Sequence, residues 1–235
     1  MLHGIDLMAR QFLAAQPWYD GLPPSEQEAL QASVHTFMAR KGELLLPQGE
    51  KVGGWYAVLS GLVLLESGSQ GQRRSAFIGM PDGEWFGEGS ALKNEPRRYN
   101  VVALRDSWLL CLPQERFLHL QATSLGFNQH LAQHLNMRLG QAMTLIETGR
   151  MRSPEYRVAL HLSRLFWRST RQLYVTQEEL GKLVGLSRQT VNRVLRDLAQ
   201  RGLIALDHGR VLIRCDAALG RYLAGEQGCA DAPPG

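Results

Sequence analysis

Three features of the 235-residue chain predict an α+β fold: an antiparallel β-roll, then one long helix, then two short helices carrying a hairpin. Eleven of the 24 glycines lie between Gly42 and Gly89, where they punctuate short β-type runs. Apolar residues then recur at intervals of three and four over residues 124 to 150. Beyond these, two helical segments with cap signals stand close together and two β-rich runs follow.

Each element has its own signal. Residues 5 to 40 read as helical, with Ser25 as a cap and Gly42 as a stop. The runs "WYAVLSGLVLLES", "RRSAFIGM" and "YNVVALRDSWLLCLP" alternate with turns at the spacing of an antiparallel roll. On the long helix, Leu131, Leu135, Leu139, Ala142, Leu145, Ile146 and Gly149 share a stripe about 120° wide, the pattern of a homodimer seam. His130 and His134 stand at i, i+4 on this helix with no third ligand nearby, which reads as a solvated face and not a metal site. Ser153 suits the cap of the next helix, so a hinge is expected from Arg152 to Pro154.

In "VTQEELGKLVGLS", Thr176 and Glu179 have capping-box spacing, and Leu180, Leu183 and Val184 form an apolar face. Gly185 ends that helix, and only Leu186 separates it from Ser187, which caps the next. On this second helix Arg188, Asn192, Arg196, Gln189 and Arg193 fall within about 140°, opposite Val191, Val194, Leu195 and Leu198. Arginine's planar fork matches the edge of guanine, and Gln or Asn matches adenine. A helix-turn-helix places its second helix in the major groove, which makes Arg188, Gln189, Asn192 and Arg193 candidate base readers. Phosphate contacts are expected from Thr176, Gln177, Ser187, Thr190 and Arg196. "LIALDHGRVLIRC" reads as a hairpin turning at Asp207, His208 and Gly209, the wing of a winged helix, with Arg210 facing phosphate.

Charge points the same way. Between Arg150 and Arg214 thirteen Arg and Lys face five acids, a balance of +8, whereas the whole chain carries +4. A nucleic-acid-binding half joined to a non-binding half has this asymmetry. With 44% hydrophobic residues the chain can fill the cores of one large or two ordinary domains. No apolar run reaches the roughly 20 residues of a membrane span, and no signal-peptide pattern opens the sequence, so a cytoplasmic protein without membrane contact is expected. Cys111, Cys215 and Cys229 form no CxxC pair, which suits a reducing compartment. Three scattered thiols also exclude an iron–sulfur cluster, which needs four ligands. The expected domains are 1–123 for the roll and its flanking helices, 124–152 for the dimerisation helix and hinge, and 153–222 for the winged helix-turn-helix. A disordered tail is expected over 223–235.

Taken together, "LLLPQGEKVGGWYAVLSGLVLL", "FGEGSALKNEPRRYNVVAL" and "VTQEELGKLVGLSRQTVNRVLRDLAQRGLI" resemble the Crp/Fnr family of bacterial transcription regulators over nearly the whole chain. The resemblance implies a cyclic-nucleotide-binding-like roll coupled allosterically to DNA-reading helices. It implies a homodimer on two-fold double-stranded DNA, RNA polymerase as a partner, and no enzymatic activity. It assigns base reading to Arg188, Gln189 and Arg193, with Gln189 where catabolite activators carry Glu, so a different base is expected at that step of the operator. Its effector residues fall on Gly87, Glu88, Arg98 and Tyr99, with Ala142 and Met143 facing a purine. Tyr99 replaces a small hydroxyl residue, and Ala142 and Met143 offer no hydrogen bonds, which tells against cyclic AMP. The effector is unknown, with another cyclic nucleotide or a cyclic dinucleotide as candidates. Glu88 and Arg98 are read either as ligand contacts or as a structural ion pair inside the roll. Two alternatives stay open: a constitutive DNA-binding regulator with a degenerate ligand site, and a nucleotide-binding regulatory subunit of a protein complex.

Overall fold

The computed structural model describes residues 2–68, 75–151, 153–168, 170–207 and 210–225. Two compact units, Met1–Ala142 and Met143–Gly235, divide the chain within its long helix. The first unit opens with α1 (Leu2–Ala14), whose Ala9 and Leu13 are buried one turn apart, and α2 (Pro24–Ser33), which has Pro at its first position. Helix was expected to continue to residue 40. Instead Val34 turns extended and β1 (His35–Ala39) follows, with Pro23 and not Ser25 at the cap of α2. The reason is non-local: β1 pairs antiparallel with a strand seventy residues on, His35 facing Cys111, and pairing of that kind overrides local helix propensity.

Seven more strands complete the roll. They are β2 (Leu44–Leu46), β3 (Gly54–Ser60), β4 (Leu62–Ser67), β5 (Ser75–Pro81), β6 (Trp85–Phe86), β7 (Asn100–Ala103) and β8 (Ser107–Pro113). One sheet has the order β1-β8-β3-β6, the other β2-β7-β4-β5, and every pairing is antiparallel. The chain passes from one sheet to the other at Gly61, where φ is 122° and a Cβ would meet the Ser107 Oγ at 2.1 Å. Only glycine fits there. Strand β3 is buried on both faces because it separates two cores. Tyr56 and Val58 point between the sheets toward Val63, Met80, Phe86 and Leu109, whereas Trp55, Ala57 and Leu59 join Leu13, Trp18, Leu30, Phe117 and Phe127 beneath the helices. Trp55 stacks on Trp85 at 4.2 Å and meets Phe127 edge-on. Helices α3 (Glu88–Lys93) and α4 (Gln114–Thr123) cover this side, and α5 (Leu125–Met151) is the 27-residue long helix.

The second unit contains α6 (Pro154–Leu162), β9 (Gln172–Leu173), α7 (Gln177–Val184), α8 (Arg188–Gln200), β10 (Ile204–Asp207), β11 (Arg210–Ile213) and α9 (Asp216–Ala224). The Ser153 Oγ accepts from the Tyr156 amide and caps α6 as expected. Helix α8 packs on α6 and α7 through Val191, Val194, Leu195 and Leu198, all buried, each contributing on the order of 2 kcal/mol by removal from water. The hairpin forms in the register Ile204↔Ile213 to Asp207↔Arg210, and β9, absent from the sequence expectation, adds a third strand. Helix α9 extends to Ala224, past the expected start of the tail at 223. The hinge residue Arg152, the turn residues His208 and Gly209, and the tail from 226 with Cys229 lie outside the described residues. Among the described residues no helix is long and apolar enough to cross a membrane.

Candidate functional site

The second unit builds its polar face from caps. The Thr176 Oγ1 accepts from the Glu179 amide at 3.1 Å while the Glu179 carboxylate accepts from the Thr176 amide at 2.7 Å, so the capping box is complete. Gly185 ends α7 in the left-handed region, with φ of 67°, and the Leu186 amide donates back to the Gly181 carbonyl at 3.0 Å. The Ser187 Oγ then accepts from the Thr190 amide and lies 2.9 Å from the Thr190 hydroxyl. The Ser187 and Thr190 hydroxyls, two of the three expected to contact phosphate, are therefore engaged in the cap of α8.

This turn presents Arg188, Gln189 and Arg196 exposed, with Asn192 half-buried among them. Three of the four expected readers and Arg196 thus share one accessible face. Arg193 is not free: its Nη2 donates to the Glu155 carboxylate of α6 at 2.8 Å. Glu155 was missed in the sequence, because nothing local links residues 38 positions apart. Its carboxyl is held below the usual carboxylate range, first by its own backbone amide at the start of α6 and then by Arg193. On the wing, the Arg210 guanidinium lies over the Tyr174 ring, 4.6 Å from its centroid, and Tyr174 adjoins the Thr176 cap. Thr176 is exposed and Gln177 half-buried, both at the start of α7.

The roll contains a second, smaller site, and here the expected residues separate. Arg98 is on the surface, 73% exposed, bonded to Glu95 at 3.0 Å. The arginine that turns inward is its neighbour Arg97, so both readings of Arg98, as ligand contact and as partner of Glu88, are corrected. Arg97 donates to the Tyr56 hydroxyl at 2.8 Å and to the Lys51 carbonyl at 3.0 Å, and it lies over the Tyr56 ring. Arg97 and Tyr56 line a cavity of about 10 Å³ together with Gly87, Ser90 and Tyr99. Burial, and then the nearby Glu88 charge, push the Tyr99 phenol up.

The carboxylate of Glu88 is turned away from Arg97 toward α5. Its Oε2 is 3.5 Å from the His134 Nε2, and among the described residues neither atom has a closer hydrogen bond. Burial opposes the charge of Glu88, but His134 and then Arg138 outweigh it, and the carboxyl stays below the ordinary carboxylate range. One turn further along α5, Arg138 donates to Glu84 at 2.9 Å and to the Trp85 carbonyl at 2.6 Å. His134 is buried, with its ring 5.5 Å from Trp55, and His130 lies 6.3 Å from Trp55. The expected solvated histidine face is thus overturned: the pair faces the aromatic core. No cluster of three metal-ligating side chains occurs among the described residues.

The long-helix stripe divides in two. Leu131 is buried and Leu135 partly so, both packed in the roll's own core, which removes them from an open seam. Leu139, Met143 and Ile146 are 59%, 63% and 60% exposed, Ala142 is exposed beside them, and Leu145 is half-buried. Ala142 and Met143 do not line the cavity.

Comparison with known proteins covers both sites. Residues 37–124 match the family model described as a cyclic nucleotide-binding domain, and residues 156–222 match that of a Crp-like helix-turn-helix domain. The chain is 32% identical over 209 residues to a cyclic AMP receptor protein of Thermus thermophilus, covering 88% of this chain and 96% of the relative. It is 27% identical to a CRP-like cAMP-activated global transcriptional regulator of Mycobacterium tuberculosis, covering 90% and 98%. Among solved structures, FixK2 from Bradyrhizobium japonicum aligns with a TM-score of 0.67 at 20% identity, covering 80% of this chain and 96% of that one. The c-di-GMP responsive regulator CLP of Xanthomonas campestris aligns with a TM-score of 0.57 at 22% identity, covering 81% and 99%. At these identities the two structures speak to the fold alone.

Proposed function

The chain belongs to the Crp/Fnr family of transcription regulators, and from that premise we propose that it acts as a homodimer reading a two-fold DNA operator with α8. One observation carries the reading: Arg188, Gln189, Asn192, Arg193 and Arg196 share an accessible face on a helix held from behind by four buried aliphatic residues. A face so built can enter a major groove without costing the module its core. Arg188, Gln189, Asn192 and Arg193 read base edges. Arg196 and Arg210 meet phosphates, and Thr176 and Gln177 bring the start of α7 to the backbone.

The dimer follows from a geometric need and an available surface. One reader helix covers one half-site, and two related by a two-fold axis cover half-sites about 34 Å apart. Leu139, Ala142, Met143 and Ile146 lie within about 100° of arc on α5 and supply the seam. The roll communicates with the readers through α5, and the chain recruits RNA polymerase from DNA. Titration of a labelled duplex against salt tests the reading. Affinity should fall by about 0.9 log units per log of salt for each phosphate neutralised, while preference for a two-fold site persists. Binding that ignores salt and sequence alike contradicts it.

A further inference from the structure

The roll of this family member matches a cyclic nucleotide-binding domain, yet its residues do not fit such a ligand. A cyclic nucleotide needs an arginine with free donors for the phosphate, an acceptor for the ribose hydroxyl, and room for both. Arg97 has already given one donor to the Tyr56 phenol and another to the Lys51 carbonyl. The Glu88 carboxylate is directed at His134 of α5. The cavity beside Arg97, about 10 Å³, is the space of a single water, and the Tyr56 and Tyr99 rings are part of its lining. Arg97 is engaged by Tyr56 and Lys51, and Glu88 faces His134, all groups of its own chain.

We propose that the pocket is occupied from within, the Tyr56 phenol standing on Arg97 in place of an anionic ligand, so that the chain binds its operator without any cyclic nucleotide. The same internal contacts fix the short helix α3 to α5, because Glu88 begins α3 and His134 and Arg138 hold that neighbourhood from the long helix. A ligand shifts an equilibrium only by binding one state better than the other. A pocket the size of one water, with two of the Arg97 donors already engaged, gives a cyclic nucleotide no such difference. The operator half of the proposal rests on the DNA reading above, whereas the pocket half stands without it.

The test has two independent arms on the full-length protein. Calorimetry and thermal unfolding with millimolar cyclic AMP, cyclic GMP and cyclic di-GMP should give no saturable heat and no upward shift in Tm. Saturable binding of any of the three overturns the proposal. Separately, operator affinity should be the same within about twofold with and without each nucleotide, since a tenfold coupling would be about 1.4 kcal/mol. Operator binding that appears only with a nucleotide also overturns it. Failure to bind any duplex under any condition sinks the DNA reading and leaves the calorimetric arm to decide the pocket. The variant Tyr56→Phe, Tyr99→Ser removes the phenol and opens the cavity. It should acquire a nucleotide-dependent rise in Tm, and a folded variant that stays unresponsive contradicts the assignment of these rings as occupants. If the double variant does not fold, Tyr56→Phe alone, which keeps the ring and vacates the Arg97 donor, decides on the same readout.

Discussion

The amide of Gln189 and the guanidinium of Arg188 stand at the exposed start of α8, the part of a reader helix that reaches base edges. Gln pairs with the N6 and N7 edge of adenine, and Glu accepts from cytosine. Gln189→Glu should therefore move the selected base at one operator position from adenine toward cytosine, by about 1–3 kcal/mol of discrimination. Sequencing of selected duplexes checks this, and an unchanged preference removes Gln189 from the readers. His161 argues a different point at the same scale. Burial holds its imidazole down at about 4, against 6.5 for a free one, and its ring stacks on Phe166 at 4.7 Å. The unfolded chain takes up a proton near pH 6.5 that the folded chain refuses until about pH 4. The contribution is therefore complete above about 6.5 and is lost as the pH falls toward 4, by roughly 3 kcal/mol in all. Tm measured across this range should fall more steeply in the wild type than in His161→Gln.

Between α7 and α8 the backbone passes so close that side-chain size decides the turn. A Cβ at residue 181 would meet the Leu186 carbonyl oxygen at 2.8 Å, a backbone atom fixed by its own hydrogen-bonded turn. Gly181→Ala should cost about 1–3 kcal/mol in urea unfolding and displace the reader helix, lowering operator affinity. Full stability would show that the turn has slack. This module was the most legible part of the sequence, since Thr176 with Glu179, Gly185 and Ser187 are local signals a few residues apart, and each cap formed. Strand β1 was not legible, because "HTFMA" becomes a strand only against β8, seventy residues away. The two-residue β9 carries no periodicity at all. The inward arginine was hidden for another reason. Arg97 and Arg98 are adjacent and chemically identical, and only the turn that ties residues 49 and 50 to Arg97 selects which one faces Tyr56.

Across the whole chain, the proposed reading gives the exposed apolar run on α5 and the polar face of α8 one joint role, that of two copies acting together. Replacing both Leu139 and Ile146 with Glu should leave the roll folded, since neither belongs to its core, and yield a monomer by sedimentation. Operator affinity should then fall at least tenfold, because a single reader engages only one half-site. A dimer surviving both charges would place the seam elsewhere. The sequence stripe showed the direction of this face but not its extent, since Leu131 and Leu135 turn out to be used by the roll itself.

The most direct test of sequence-specific reading by a two-fold dimer is selection of bound duplexes from a random pool, with no nucleotide added, for the wild type and Arg188→Ala. The wild type should enrich two inverted half-sites about 34 Å apart, and Arg188→Ala should keep the spacing while losing preference at one base pair in each half. Enrichment of no common sequence, or of identical sites by both proteins, would contradict the account.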